Sequence, residues 1–333
     1  MALRCKSGNR FAQAASRRAL VSCCATFLAL SASAAVPRSD RVNLFPKLQA
    51  GQTLTYRIAY HLDKQANTQS SVKWAQTPAA AAVMVQGLLR FEVLAVQAQG
   101  SRSTIHARTS FQSLNSEANT PGQPPAQNAQ ATLIEFTLFA NGHIDEIKNL
   151  DALSPDQQQA WQQWASTFAA AAIFPADGIK LTQRWKSEEP EKSPSPITGL
   201  TWIRESTYLR NEPCRSAQLM PQGEVADSNE SHETCAVIQT KAALKQKSSP
   251  QNTTPEGFKL HQLHTSGTAS GNNQTLLYLS LQTGLLIRSS EQADQTMDVT
   301  IAKADNSNRV RYAIHAKSNT EIFRIVNTPS KNP

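Results

Sequence analysis

Apolar and polar residues alternate along much of this chain with a period of two. Between Thr53 and Leu62, the apolar residues Leu54, Tyr56, Ile58, Tyr60 and Leu62 fall at every second position, with Thr53, Thr55, Arg57 and His61 among the residues between them. Successive side chains of a strand point to opposite faces, so this pattern predicts a strand with one buried face and one wet face. The same alternation recurs at Leu89, Phe91 and Val93, at Ile105, Ala107, Thr109 and Phe111, and at Ile134, Phe136 and Leu138. Asn141-Gly142, between Phe139 and Ile144, offers two positions that tolerate positive φ and predicts a tight hairpin.

One segment changes period. Ser154 is a good N-cap, Pro155 suits the first turn, and Asp156 favours the positive end of the helix dipole. Trp161, Trp164, Phe168 and Ala172 then recur at helical spacing, which predicts a helix over 154–173 with one bulky apolar stripe laid on a sheet. Two roles compete for Trp161, Trp164 and Phe168. They pack the core, as aromatics at helical spacing do, or they line a ligand cleft between helix and sheet.

Residues 176–198, with a Pro- and charge-rich stretch from Glu188 to Pro196, read as a crossover linker. Strand patterning then resumes at Leu200, Trp202 and Tyr208, at Ala236 and Ile238, and at Leu277, Leu279 and Leu281. A Thr283-Gly284 turn leads to Leu285 and Ile287. Met297, Val299 and Ile301 follow, then Val310, Tyr312 and Ile314, and finally Ile322, Phe323 and Ile325. The expected architecture is mainly β and antiparallel, as an open half-barrel or a sandwich. It has two β-rich halves, 35–175 and 199–333, with one amphipathic helix packed on the sheet. Polar stretches at 64–71, 115–131, 216–234 and 246–257 hold too few apolar residues to fold alone and are expected to be loops.

The first 34 residues follow a different logic. Arg4, Lys6, Arg10, Arg17 and Arg18 precede an apolar run from Ala19 to Leu30 that ends in Ala32-Ser33-Ala34. That order predicts an export signal cleaved after Ala34, and a periplasmic or extracellular protein. Ser16-Arg17-Arg18-Ala19-Leu20 leaves ordinary and twin-arginine export both open. No later apolar run approaches the roughly 18 to 20 residues that a membrane-spanning helix needs. The signal also carries much of the charge. The whole chain is formally +8, but removal of 1–34 leaves 28 Lys and Arg against 25 Asp and Glu, which argues against nucleic acid as a partner.

Cysteine usage follows the same cut. Only Cys214 and Cys235 remain beyond residue 34, and an even pair in an oxidising compartment predicts one disulfide. The alternative, a metal site adding His232, matches no structural zinc spacing. Arg309, Arg311, His315 and Lys317 share one face of a strand. They form either a basic strip for lipid headgroups or an acidic partner, or the solvated side of a sheet. No nucleophile elbow, His-Glu-x-x-His or phosphate-cradling glycine loop occurs, so no catalytic residue, metal or cofactor is assigned.

The order of these elements carries a resemblance. An Asn141-Gly142 hairpin, an amphipathic helix, Phe174-Pro175-x-x-Gly178 leading to Trp185, and a second β set with Thr283-Gly284-Leu285 looks like exported bacterial β-proteins of unknown function. These are similar in plan to envelope carriers built as an incomplete barrel around a helix. The resemblance implies an open half-barrel with an apolar lining and brings no catalytic residue. The leading expectation is an exported, non-enzymatic protein that binds a lipid, another hydrophobic ligand or a cell-envelope component. A structural module contacting envelope proteins and a hydrolase of unrecognised mechanism are the alternatives.

Overall fold

The computed structural model describes residues 40–71, 77–99, 102–118, 132–191, 195–219, 225–228, 233–303 and 308–326, so the expected export signal and His232 lie outside the described residues. In chain order the elements are β1 (Arg41–Val42), β2 (Thr53–Ser70), β3 (Thr77–Gln99), β4 (Arg102–Ala118), β5 (Leu133–Leu138), β6 (Ile144–Lys148), α1 (Pro155–Ala169), β7 (Ile179–Lys180), β8 (Arg184–Pro190), β9 (Leu200–Pro213), β10 (Ser216–Leu219), β11 (Val225–Ser228), β12 (Thr234–Gln246), α2 (Glu256–Leu260), β13 (Leu263–Ser280), β14 (Leu286–Lys303) and β15 (Val310–Ile325).

The two expected halves share one sheet. Its strands run in the order β6-β5-β4-β3-β2-β15-β14-β13-β12-β9-β8, with β10 attached to β15 and β11 to β10, while β1 and β7 form a separate pair. The joint is the antiparallel pairing of β15 with β2, from Val310 opposite Ser70 to Ile325 opposite Thr55. The sheet is open, with β6 and β8 at its edges.

Several segments read as loops are strand. Residues 64–70 complete β2, 115–118 end β4, and 216–219 and 225–228 form β10 and β11. The polar run from Ser266 to Gln274, for which no element was expected, is the middle of β13. The backbones of 64–70 and of this run are held by ladders to a neighbour on each side, so the pairing does not need an apolar side chain at every second position. The stretch read as a linker supplies β7 and the edge strand β8, whose Arg184 lies opposite Thr207 of β9.

Helix α1 starts as its sequence dictates. Ser154 Oγ accepts from the Gln157 backbone N–H and the Gln157 side chain accepts from the Ser154 N–H, a reciprocal capping box. Its last turn tightens into a 3-10 turn over Ala170–Ile173, which completes the expected 154–173 span.

The inner face of the sheet has three zones. Under α1 lies the main apolar core, which includes Tyr56, Ile58, Leu89, Phe91, Phe136, Ile238, Leu277 and Ile322. A cross-strand row of Ser206, Thr240, Thr275, Glu291, Thr320 and Tyr60 follows as a largely polar belt. Beyond it a second cluster gathers Leu200, Trp202, Ala242, Leu244, Ala269 and Val299.

Candidate functional site

Trp161, Trp164 and Phe168 stand in the core, with 1 %, 0 % and 1 % of their surface exposed. Trp164 stacks on Phe168 at 5.1 Å between ring centroids, and it lies 5.9 Å from Tyr56 and 5.8 Å from Phe91. Trp161 meets Phe136 edge-on at 5.6 Å and donates its indole N–H to Thr109 Oγ1 at 2.8 Å. These rings are consumed by one another and by the sheet, so the face expected to line a cleft has no surface open to a ligand. Burial also pushes the Tyr56 hydroxyl well above the usual phenol range.

Cys214 and Cys235 form the expected disulfide, joining the end of β9 to the start of β12. Glu233, two residues before Cys235, accepts hydrogen bonds from the hydroxyls of Ser280 and Thr283, and its carbonyl accepts from the Cys214 N–H at 2.8 Å.

The expected basic strip is a mixed-charge strip. Arg311 donates from Nε and Nη2 to the two carboxylate oxygens of Asp298, at 2.8 and 2.5 Å, and this contact holds the Asp298 carboxyl below its usual range. His315 Nε2 lies 2.8 Å from Asp294, and Lys317 Nζ 3.9 Å from the same carboxylate. Arg309 anchors the start of the strand through its backbone, whose N–H donates to Ser71 Oγ at 3.0 Å. Asp294 and Asp298 come from β14, so neighbouring carboxylates offset the field that a lone row of cations would present.

The surface that stays open on the inner side lies beyond the polar belt. Cross-strand register places Ala269, Met297, Ile314, Ala66 and Ala79 in one row and Val299, Tyr312 and Thr68 in the next. Val310, Tyr312 and Ile314 are partly exposed and belong to none of the three apolar clusters, the third of which surrounds the disulfide. Within these rows Ala269 and Val299 are buried in the second cluster and Met297 packs against it, while Ala66, Tyr312 and Ile314 are partly exposed and Ala79 is exposed, so the open part of this trough lies over β15, β2 and β3. Val310, Tyr312, Ile314 and Met297 carry strand alternation in the sequence. Their partners Ala66 and Thr68 fall in a stretch read as loop, so only the register assembles the row.

Glu291, at the upper boundary of the trough, carried no signal in the sequence. Asn273 Nδ2 donates to its Oε1 at 2.7 Å and Thr275 Oγ1 to its Oε2 at 3.2 Å, and Gln163 of α1 also hydrogen-bonds to it. Desolvation outweighs these partners and the Arg204 charge, raising the carboxyl above its ordinary value. No three His, Cys, Asp or Glu side chains gather at metal-binding distance among the described residues. None of the helices there is long and apolar enough to cross a membrane.

No family model and no curated protein matches the chain. Among solved structures, it is similar to a protein assigned as exported, with a YmcC-like fold, from Bacteroides fragilis. That match has 9% identity and a TM-score of 0.20, covering 82% of this chain and 97% of that one. A protein assigned as a lipoprotein from Parabacteroides distasonis matches at 10% identity and a TM-score of 0.20, over 82% and 97%. A mutant porin of Rh. blastica matches at 8% identity and a TM-score of 0.21, over 81% and 100%. Similarity at this level does not bear on function.

Proposed function

We propose that this chain is an exported, non-enzymatic β-protein that holds a hydrophobic component of the cell envelope, of the acyl-chain type, along the inner trough. The observation that supports this is the run of partly exposed apolar residues Val310, Tyr312 and Ile314 on β15, which stands outside every core cluster on the inner face of an open sheet, beside Met297 at the margin of the second cluster. The basic, apolar and small-residue order of residues 1–34 supports export. Each buried methylene contributes about 0.8 kcal/mol, so some ten methylenes laid in the trough offset the ordering costs of a moderate-affinity complex.

The test is native mass spectrometry of the processed protein purified from its own envelope, with organic extraction of anything bound. An apolar adduct that is retained in wild type and lost in Ile314→Asp and Met297→Glu supports the reading. A bare protein mass in wild type, or an adduct that persists in both variants, overturns it.

A further inference from the structure

The face of the sheet turned away from α1 carries an open groove of about 500 Å³, continuous with a second hollow of about 450 Å³ through Asp63 and Lys317. Tyr60 and Leu62 point inward from β2, so His61 and Asp63 between them point outward. The register extends that outward set across five strands. Lys241, Gln274, Gln292, Asn319 and His61 form one cross-strand row, and Asn272, Asp294, Lys317 and Asp63 form the next. At about 4.8 Å between strands the first row spans about 19 Å, and the two rows lie about 7 Å apart along the strands.

The chemistry of the groove narrows its occupant. Its strands, β12, β13, β14, β15 and β2, are interior to the sheet, and their ladders already use the backbone groups. An extended peptide therefore finds no free edge to pair with. The apolar lining consists of alanines, which form no pocket for a large apolar side chain. Two carboxylates, Asp63 and Asp294, line the first hollow together with two ammonium groups, Lys241 and Lys317, so neither a polyanion nor a polycation gains net attraction there. What remains is a row of amides, each offering both a donor pair and an acceptor. Vicinal hydroxyls need that combination, because each hydroxyl both donates and accepts.

We propose that this outer groove binds a neutral oligosaccharide, with Gln274, Gln292 and Asn319 as its central hydrogen-bonding row. The site is separate from the inner trough and does not rest on the acyl-chain reading. Amides close on hydroxyls in this row, and the mixed charges beside it, with Lys317 against Asp294 and Asp63, favour no ligand of one charge sign.

The test uses the processed wild-type protein, a panel of immobilised neutral and acidic oligosaccharides and an extended-peptide library. It includes the double variant Gln292→Ala/Asn319→Ala, and Ile314→Asp as a variant of the opposite face. The expected result is retention of a neutral oligosaccharide, little changed between low and high salt, that weakens about tenfold or more in the double variant. Ile314→Asp leaves this binding unchanged, and the melting temperature of the double variant stays at that of wild type. Retention of no neutral oligosaccharide, binding unaffected in the double variant, or preference for acidic oligosaccharides or peptides overturns the proposal. None of these outcomes alters the acyl-chain result, which is read on the other face.

Discussion

Replacing Trp164 by Ala separates a core ring from a ligand-facing one. The indole is 0 % exposed and lies 5.1 to 6.3 Å, centroid to centroid, from Phe168, Phe91, Tyr56, Phe136 and Trp161. Removing a fully buried Trp costs about 3–5 kcal/mol, because the transfer free energy is lost and a cavity persists where rigid neighbours cannot collapse. Five aromatic neighbours anchored on the helix and on three strands make collapse difficult, which places the cost at about 4 kcal/mol. A unit of this size has an unfolding entropy of roughly 0.6 kcal/mol/K near its midpoint, so the melting temperature falls by about 6–7 °C. Circular dichroism or calorimetric melting of the processed protein measures it, with Trp164→Phe as a milder control. A fall below about 2 °C, accompanied by loss of an envelope-derived adduct, refutes the core assignment and returns the ring to a cleft.

Glu291→Gln tests the buried belt. Because the folded carboxyl is raised above its ordinary 4.5, the native state binds the proton more tightly, and the stability this provides is full below about 4.5 and lost as pH rises through the folded value. Urea unfolding at about pH 4 and about pH 7 is expected to show the variant gaining on wild type at the higher pH; an equal difference at both removes the argument. Replacing Cys214 and Cys235 together by Ala opens a loop with a sequence separation of 21 and is expected to cost about 3 kcal/mol, read as a lowered denaturant midpoint. A melt indistinguishable from wild type shows the unfolded chain gaining no freedom. Gly284→Ala is expected to destabilise by about 2 kcal/mol or more, since φ is 67° and a Cβ would sit 2.4 Å from the Phe45 carbonyl oxygen. Wild-type stability in that variant would show that the segment at Leu44 and Phe45 yields freely.

Local chemistry is what the sequence alone determined. Leu54 to Leu62 must bury one face, Trp161, Trp164 and Phe168 must lie against something apolar, Ser154 and Gln157 start a helix, and the two cysteines beyond residue 34 pair, as expected of a chain that carries an export signal. Each follows from residues close in the chain or from the compartment that residues 1–34 lead one to expect. What lies between polar residues was not legible, because residues 64–70 and Ser266 to Gln274 are ordered by backbone ladders to strands far away in the sequence. The pairing of β15 with β2 decided that the halves share one sheet, and it brought Ala66 beside Ile314 and His61 beside Asn319. It is also tertiary structure that set Asp294 and Asp298 against the basic residues of β15, and that turned the aromatic stripe of α1 wholly inward. A period of two tells which residues share a face of one strand; only the register of neighbouring strands decides which side chains meet across it, and so where a groove can form.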